Sequence, residues 1–290
     1  MSYPDTEKLL SYLQVARIDR FLFTGDSPRR PSRIFGGQVL AQSLNAAIRS
    51  VEGNRVAHSM HAYFLRPGNP EKQIVFEVDP IRDGRSFATR RVVAKQGGVA
   101  IFNTSVSFQF DAPGLEHQAK MPAAPAPENL KTDDEFWEEL RQSDPERYGS
   151  PLAPAIERRV VNRRDYSNPE PSEPTQMAWF RTLSTIDADP ALHQVILAFM
   201  SDFALLGAAL LPHPYTAYSP EVQVASLDHA IWFHRPARAD DYLLYALDSP
   251  NAGGSRGFSR GQFFTRGGML VASTAQESLL RLREPPNDNH

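Results

Sequence analysis

The chain of 290 residues is long enough for one large domain or two smaller ones, and its 41% hydrophobic and 22% charged content is ordinary for a globular protein. With 34 acidic against 31 basic residues, the net charge of −3 gives no whole-chain basic excess that would favour nucleic acid or an anionic membrane as a partner. The chain has no cysteine, which excludes disulfides, thiolate metal sites and cysteine nucleophiles.

The two ends of the sequence carry no recognisable targeting signal. The N-terminal stretch "MSYPDTEKLLSYLQVARIDR" has charges inside its apolar pattern, unlike a signal peptide. No apolar run approaches the ~20 residues that a membrane span needs, and the C-terminal "PPNDNH" is not a known address. We therefore expect a cytoplasmic protein without a membrane span.

The first half of the chain predicts a helix over residues 37–50 followed by several strands. The strand-like stretches "MHAYFLRP", "QIVFEVDPIRD" and "SFATRRVVAKQGGVAIFNTSVSFQ" are rich in Val, Ile, Phe, Tyr and Thr. Pro-Gly, Asp-Gly and Gly-Gly turns interrupt them. One long helix followed by an antiparallel meander indicates the α+β class, with the apolar face of the helix buried against the sheet.

A proline-rich connection follows the first half. Ten of the 24 prolines lie between residues 113 and 174. Within it, "DDEFWEELRQ" predicts a short helix, with Phe136, Trp137 and Leu140 at helical spacing for packing; the alternative is a surface loop with one helical turn. We expect an N-terminal domain over 1–112, an ordered linker over 113–174 and a C-terminal domain over 175–290.

An internal repeat relates the two halves. "HAYFLRP" (61–67) is similar to "HAIWFHRP" (229–236), which has one extra residue, and the stretch 84–108 is similar to 254–278. The offset is close to 170 residues throughout, which is too long for a solenoid repeat and indicates duplication of a whole domain. The second half accordingly predicts a helix over roughly 190–211 and then a second set of strands.

The segment "ASLDHAIWFHRP" places Ser226, Asp228 and His229 within four positions, which invites comparison with a Ser/His/Asp hydrolase triad. On one continuous strand the side chains alternate, so Ser226 and Asp228 share one face and His229 points to the other. A triad needs both the serine and the carboxylate within hydrogen-bond reach of the imidazole. The local triad therefore fails, and we interpret Asp228 as a second-choice carboxylate and His229 as a structural residue.

A carboxylate falls within the apolar stripe of the predicted second-half helix. In "PALHQVILAFMSDFALLGAALLPH" apolar residues recur at a period of 3.6, and Asp202 points in nearly the same direction as Val195. Asp is a poor residue for a helix interior and is costly to bury unpaired. Two interpretations stay open: a hydrogen-bonded core Asp, or a general base or water-orienting carboxylate with a shifted pKa.

The last predicted strand, "VASTAQES", contains a polar amide with no counterpart in the first half. Gln276 shares one face of this strand with Ser278, and the aligned residue of the first repeat is Val106. A partly exposed strand Gln is the alternative interpretation. The other interpretation, a functional role for Gln276, depends on its occurring together with Asp202 and Ser226.

Seven motifs in order resemble the acyl-CoA thioesterase II family: "RIFGGQVLAQSLNAA", "HSMHAYFLRPG", "GRSF", "SDFALL", "LDHAIWFHRP", "SRGFSRGQFF" and "GGMLVASTAQES". The resemblance covers nearly the whole chain and is weakest in the proline-rich connection. It implies a double hotdog fold, in which each half is a long helix wrapped by an antiparallel sheet and the two sheets pair side by side. The family's catalytic Asp, Thr and Gln match Asp202, Ser226 and Gln276, with serine in place of threonine as a departure.

The resemblance implies hydrolysis of medium- to long-chain acyl-CoA to fatty acid and CoA, with acyl-CoA as the partner and no cofactor. Asp202 acts as base in this hypothesis, while Ser226 and Gln276 orient the water. Backbone N–H groups of Gly36 and Gly37, at the start of the first-half helix, are candidate donors to the thioester oxygen; the alternative is a turn that needs glycine for its backbone angles alone. The likeness also suggests association of tandem units into a homo-oligomer.

Three arginines, Arg85, Arg256 and Arg260, are candidate contacts for the CoA phosphates, with solvated surface side chains as the alternative. The strand histidines have no spacing typical of a zinc site, so no metal is predicted.

Two rival functions differ in their chemistry. A hotdog-fold enoyl-CoA hydratase would use an Asp/His pair in an Asn-Pro-x-His context, which the sequence lacks. A non-catalytic acyl-CoA-binding or assembly protein would bind acyl-CoA without releasing thiol. The full set of Asp202, Ser226 and Gln276 argues against this second rival.

Overall fold

The computed structural model describes residues 6–28, 33–146, 148, 155–186 and 189–283. Within this part of the chain there are five α-helices and thirteen strands. The helices are α1 Thr6–Leu13, α2 Gly36–Ile48, α3 Asp133–Ser143, α4 Pro190–Ser201 and α5 Leu205–Leu210. The strands are β1 Ala16–Asp19, β2 Leu22–Gly25, β3 Val56–Phe64, β4 Ile74–Asp83, β5 Phe87–Gln96, β6 Val99–Gln109, β7 Ile156–Val160, β8 Thr175–Thr182, β9 Val222–Ser226, β10 Asp228–Phe233, β11 Leu243–Gly253, β12 Arg256–Thr265 and β13 Leu270–Leu282.

The described strands form one antiparallel sheet, in the order β1-β2-β4-β5-β6-β3-β10-β13-β12-β11-β8-β7, with β9 paired to β13. The two halves of the chain meet at the pair β3–β10, where Tyr63 lies opposite Asp228 and Ser59 lies opposite Trp232. The sheets of the two halves therefore continue into each other side by side, as the double hotdog resemblance predicts.

Helix α2 packs between the first-half sheet and the second half. Ten of its 13 residues are buried, and it contacts β3, β4, β5 and β6 on one side and α4 on the other. Leu40 and Leu44, one turn apart, are fully buried, and each such side chain contributes about 1.5–3 kcal/mol of burial free energy. The helix predicted over 37–50 is confirmed to within two residues at each end.

The second-half helix, predicted over roughly 190–211, is two helices. α4 ends at Ser201 and α5 begins at Leu205, with Asp202 as the C-cap of α4. Between them Ala204 has a φ of 73°, a left-handed conformation that residues other than glycine rarely adopt. The apolar stripe continues through this break, so periodicity alone predicts one helix where there are two.

The stretch Pro190–Leu210 is apolar enough by length and composition to cross a membrane, which differs from our expectation that no run approaches that length. However, 56% of its most apolar window is buried inside the fold. α4 packs against α2 and β10, and α5 packs against β11 and β12. The apolar character of this stretch is therefore that of core helices.

The proline-rich connection contains the predicted short helix as α3. Thr132 is its N-cap and exchanges hydrogen bonds with Glu135 in a capping box. Trp137 packs against Tyr166 and Tyr218, with ring centroids 5.1 and 5.3 Å apart. Farther along the connection β7 pairs with β8, so this segment also adds a strand to the second-half sheet.

Candidate active site

The C-cap of α4 meets the start of α2 across the boundary between the two halves. A Cβ placed on Gly36 would lie 2.7 Å from Oδ2 of Asp202, and one placed on Gly37 would lie 2.5 Å from the carbonyl oxygen of Phe199. Both distances are shorter than a Cβ tolerates, so the approach requires glycine. The first half thus brings bare backbone against a carboxylate of the second half.

Burial raises the pKa of Asp202 to about 7, because its charged form loses hydration. Three groups favour the charged form and oppose this rise: the Gly37 amide, the Ser226 hydroxyl and the Arg33 guanidinium. Ser226 Oγ lies 3.4 Å from Asp202 Oδ1, and Arg33 is anchored to the carbonyl oxygen of Val224 at 3.1 Å. A carboxyl that titrates near neutral pH can accept and return a proton, as a general base must.

A β-bulge at Leu227 interrupts the segment that was predicted as one continuous strand. Ser226 lies opposite Ser278 of β13, and Ala230 lies opposite Ala275 of β13. Four residues of the bulged segment thus span the same length as three residues of β13. The extra residue shifts the alternation of side chains by one position. Ser226 and His229, three positions apart on opposite sides of the bulge, therefore point to the same face of the sheet.

The bulge corrects the prediction that His229 points away from Ser226. His229 is only 1% exposed, and its Nδ1 lies 2.8 Å from Oε1 of Gln276. Its Nε2 lies 2.9 Å from the hydroxyl of Ser201. His229 and Ser226 both reach the same Gln276 side chain, which an uninterrupted strand would prevent.

Gln276 is the centre of this buried network. It is 1% exposed, and its Nε2 donates to the hydroxyls of Ser226 at 3.1 Å and Ser278 at 3.0 Å. Burial alternates along this part of β13 as predicted. The alternative of a partly exposed strand Gln is therefore wrong.

Asp228 takes no part in the network. Its Oδ1 accepts the backbone N–H of Glu277 at 2.6 Å, and burial raises its pKa. This carboxylate satisfies a backbone donor beside the bulge, so the local triad is absent, as expected. Nor do the described residues contain a group of three His, Asp or Glu side chains that would hold a metal ion.

The sequence analysis did not single out Ser201 or Arg33, and its interpretation of His229 as a structural residue fits a buried, hydrogen-bonded imidazole. Ser201 is fully buried and immediately precedes Asp202, but its contact with the imidazole depends on where α4 ends. Arg33 comes from the other half of the chain. The sequence held one signal for them: each is the first residue of a motif of the family resemblance, Ser201 of "SDFALL" and Arg33 of "RIFGGQVLAQSLNAA".

Two sequence models of known families match the chain in order. One, described as an acyl-CoA thioesterase N-terminal domain, matches residues 26–109, and the other, described as acyl-CoA thioesterase, matches residues 154–279. The chain belongs to the acyl-CoA thioesterase family. The expected family is thereby confirmed, and the protein is a thioester hydrolase that acts on acyl-CoA.

Relatives of this acyl-CoA thioesterase match nearly its full length. Acyl-CoA thioesterase 2 of Haemophilus influenzae is 38% identical over 283 residues, which are 95% of this chain and 98% of the relative. The crystal structure of acyl-CoA thioesterase II TesB2 from Mycobacterium marinum is 39% identical with a TM-score of 0.78 and covers 94% of this chain and 98% of its own. A hot dog fold protein from Alicyclobacillus acidocaldarius, 18% identical, covers 94% and 98% with a TM-score of 0.75, which confirms the expected fold.

The structure does not bring Arg85 of this thioesterase to the Asp202 site. Strand β3 runs from Val56 to Phe64, and the turn that holds Arg85 lies beside its Val56 end, where β5, β6 and β3 pair. The Phe64 end lies beside Leu227, whose carbonyl oxygen accepts the Phe64 amide at 2.9 Å. At about 3.3 Å per residue, the two ends of β3 are roughly 26 Å apart.

Arg256 lies nearer the site, at the start of β12. Its guanidinium is ion-paired with Glu277 at 2.8 Å, and Arg260 is ion-paired with Asp248. Both pairs are exposed and therefore weak, so an anionic ligand can compete for either arginine. Contact between these arginines and CoA stays a prediction.

Proposed function

We propose that Asp202, Ser226 and Gln276 bind one water molecule and direct it at the thioester carbonyl of a medium- to long-chain acyl-CoA. The water oxygen bonds to the carbonyl carbon as its proton passes to Asp202. The tetrahedral intermediate then collapses, the C–S bond breaks, and the CoA sulfur leaves with the proton that Asp202 returns. The products are a fatty acid and CoA, without a covalent acyl-enzyme.

The observation that carries this proposal is a carboxyl group with a pKa raised to about 7, 3.4 Å from a hydroxyl. At neutral pH a substantial fraction of Asp202 is then the ionised base, and its conjugate acid is strong enough to return the proton. General-base assistance contributes ~10²–10⁴-fold to the rate, and fixed orientation of the water adds to that factor.

The neighbours of Ser226 support a water-holding role over a nucleophilic one. A serine nucleophile needs an imidazole base within hydrogen-bond reach. The ring nitrogens of His229 instead contact Gln276 and Ser201, while the hydroxyl of Ser226 contacts Gln276 and Asp202. The hydroxyl is thus set between a carboxylate and an amide, where a shared water molecule can join them.

The start of α2 is our proposed donor for the developing oxyanion. A helix N-terminus carries partial positive charge and unpaired N–H groups. The N-cap of α2 is Phe35, which supplies no side-chain hydrogen bond, and the first two amides belong to Gly36 and Gly37. Because the Gly37 amide already favours ionised Asp202, we assign the thioester oxygen to the Gly36 amide.

An aromatic wall beside Asp202 supports an acyl substrate. Phe35, Phe199 and Phe203 contact one another, with ring centroids 4.8 to 5.6 Å apart. Phe35 and Phe203 keep part of their surface exposed, next to the carboxylate and to Gly36. We propose that the first carbons of the acyl chain lie against these two rings, where apolar contact favours medium and long chains over acetyl.

We further propose that tandem units associate into a homo-oligomer and that the enzyme works in the cytoplasm, as the sequence suggests. Light scattering after size-exclusion chromatography measures the first property, since a mass of one chain would contradict it. Fractionation of cells measures the second.

Thiol release from acyl-CoA substrates of C2 to C18, followed with DTNB, tests the reaction and the chain-length preference together. We expect Asp202→Asn to lower kcat by about 10²–10⁴-fold in a folded protein, while Asp79→Asn, at a partly exposed position away from the site, serves as the control. A near-wild-type kcat for Asp202→Asn would remove it as the base. A stable acyl group on Ser226, detected by mass spectrometry, would replace the water mechanism with a nucleophilic one.

The family decides against both rival functions, a hydratase and a non-catalytic binder, since relatives that match nearly the full chain are acyl-CoA thioesterases.

A further inference from the structure

Five side chains form a closed ring of contacts at the proposed catalytic centre. The Ser201 hydroxyl lies 2.9 Å from His229 Nε2, and His229 Nδ1 lies 2.8 Å from Gln276 Oε1. Gln276 Nε2 lies 3.1 Å from Ser226 Oγ, which in turn lies 3.4 Å from Asp202 Oδ1. The ring closes through the chain, because Ser201 and Asp202 are adjacent residues.

The hydrogens of the ring have one consistent direction. Gln276 Nε2 donates to Ser226, so Oε1 of the same amide accepts, and Nδ1 of His229 carries the hydrogen. Burial lowers the pKa of His229 to about 4, so the ring is neutral at neutral pH and Nε2 is an acceptor. The Ser201 hydroxyl has one hydrogen and two acceptors within reach, that nitrogen at 2.9 Å and the carbonyl oxygen of Ala198 at 2.8 Å.

The opposite tautomer would reverse the ring. With the hydrogen on Nε2 of His229, Nδ1 would accept, and the Gln276 amide would turn over to donate to it. The amide oxygen would then take the hydroxyl hydrogen of Ser226, and Ser226 would no longer donate to Asp202. The position of one hydrogen on the imidazole therefore decides the orientation of the proposed water-binding groups.

The first half of the chain shows that the fold itself does not need polar groups at these positions. Strand β3 also has a bulge, between Ala57 and Ser59, and Met60 lies opposite Val106. Counted from the two bulges, Ala57, Met60 and Val106 occupy the positions of Ser226, His229 and Gln276. All three first-half residues are apolar and at most 2% exposed. Polar side chains at these three positions thus occur only in the second half, which also holds the proposed catalytic residues.

We propose that His229 is a positioning residue for thioester hydrolysis, whose Nδ1–H holds the Gln276 amide in the orientation that leaves the Ser226 hydroxyl hydrogen for Asp202. The inference rests on the proposed catalytic set. His229 acts through Gln276, whose amide oxygen Oε1 lies 2.8 Å from its Nδ1.

His229→Met tests the proposal with the residue that the first half already accommodates at this position. We expect kcat to fall about 10- to 100-fold, while KM changes by less than about threefold because substrate contacts remain. His229→Asn, whose side-chain nitrogen can replace Nδ1 as donor, recovers part of the loss. His234→Met is the matched control: this histidine binds Ser273 at 2.8 Å near the end of β10, and its loss leaves kcat unchanged.

A double variant separates positioning from a general structural effect. If His229 acts through Gln276, His229→Met combined with Gln276→Ala is no slower than Gln276→Ala alone. Independent, multiplied losses would overturn the proposal, as would a wild-type kcat for His229→Met. Full activity of Gln276→Ala would instead count against the proposed catalytic set.

A measurement on the unmodified enzyme keeps the proposal testable even if His229→Met does not fold. Nitrogen-15 NMR of the histidine rings distinguishes the two neutral tautomers. We expect the hydrogen of His229 on Nδ1, and a hydrogen on Nε2 would overturn the assignment.

Discussion

Gly36 and Asp202 face each other so closely that a Cβ on the glycine would lie 2.7 Å from the carboxylate oxygen Oδ2. The contact joins the uncapped start of α2 to the C-cap of α4. Each half of the chain therefore supplies one side of the proposed catalytic centre, and the first half brings its backbone closest to the carboxylate.

Gly36→Ala should inactivate the enzyme without unfolding it. The new methyl group would press on Asp202 at 2.7 Å and on the Phe64 ring at 2.8 Å, so the carboxylate must move. A displacement of this size costs about 100-fold in kcat, measured by thiol release with circular dichroism as the folding check. Gly207→Ala is the control, because nothing lies within 4 Å of its added Cβ. Wild-type kcat in Gly36→Ala would contradict the proposed site.

Gly207→Ala should also stabilise the protein. Gly207 lies within α5, where alanine loses less conformational freedom on folding than glycine and meets open space. We expect the free energy of unfolding to rise by about 0.5–1 kcal/mol, measured by urea denaturation. A lower free energy of unfolding would show that α5 is not helical in solution at this position.

The pH dependence of kcat/KM should follow the ionisation of Asp202. Its pKa is raised to about 7 and the proposed base is the ionised form, so we expect full activity above this pH. Below it kcat/KM should fall about tenfold per pH unit. The acidic limb should vanish from the residual activity of Asp202→Asn, and a limb that persists there belongs to another group.

Ser226→Thr should keep kcat within a few-fold of wild type, since threonine retains the hydroxyl and its methyl group restricts χ1. Ser226→Ala removes the donor to Asp202 and the acceptor of Gln276, and kcat should fall about 10- to 100-fold. Both are compared by steady-state thiol release. If Ser226→Ala matched the activity of Ser226→Thr, the hydroxyl would have no part in holding the water.

His229 should make the fold sensitive to acid. Burial lowers its pKa to about 4 from an ordinary 6.5, so the unfolded chain binds more protons between these values. The free energy of unfolding therefore falls as the pH decreases from about 6.5 to 4, by up to about 3 kcal/mol from this group. Urea denaturation at pH 7 and pH 4.5 should show a smaller difference for His229→Met than for wild type, and an equal difference would contradict the burial of a neutral imidazole.

The sequence predicts much of the architecture because periodic patterns and duplication are local to strands and helices. The repeat predicted a helix and a set of strands in each half, the family resemblance predicted that the two sheets pair, and alternation along β13 placed Gln276 on the same face as Ser278. The stripe of apolar residues brought Asp202 towards the core, although it reported one helix where α4 ends at Ser201.

Two backbone irregularities account for the main differences between the sequence predictions and the structure. The left-handed Ala204 ends one helix and starts another, and no residue type signals it, since alanine favours helix. The bulge at Leu227 moves one residue out of register, and alternation counted along the strand then assigns His229 to the wrong face. Because β3 has a bulge at the matching place, Met60 is the structural counterpart of His229, although the motif alignment pairs His229 with His61.

The junction of β3 with β10 has a consequence for how the enzyme behaves on dilution. Were the two halves separate proteins, the contact between Gly36 and Asp202 would exist only at concentrations that keep the pair associated. In the fused chain the connection holds the halves at a high effective concentration. Specific activity that depends on this contact should therefore stay constant however far the enzyme is diluted.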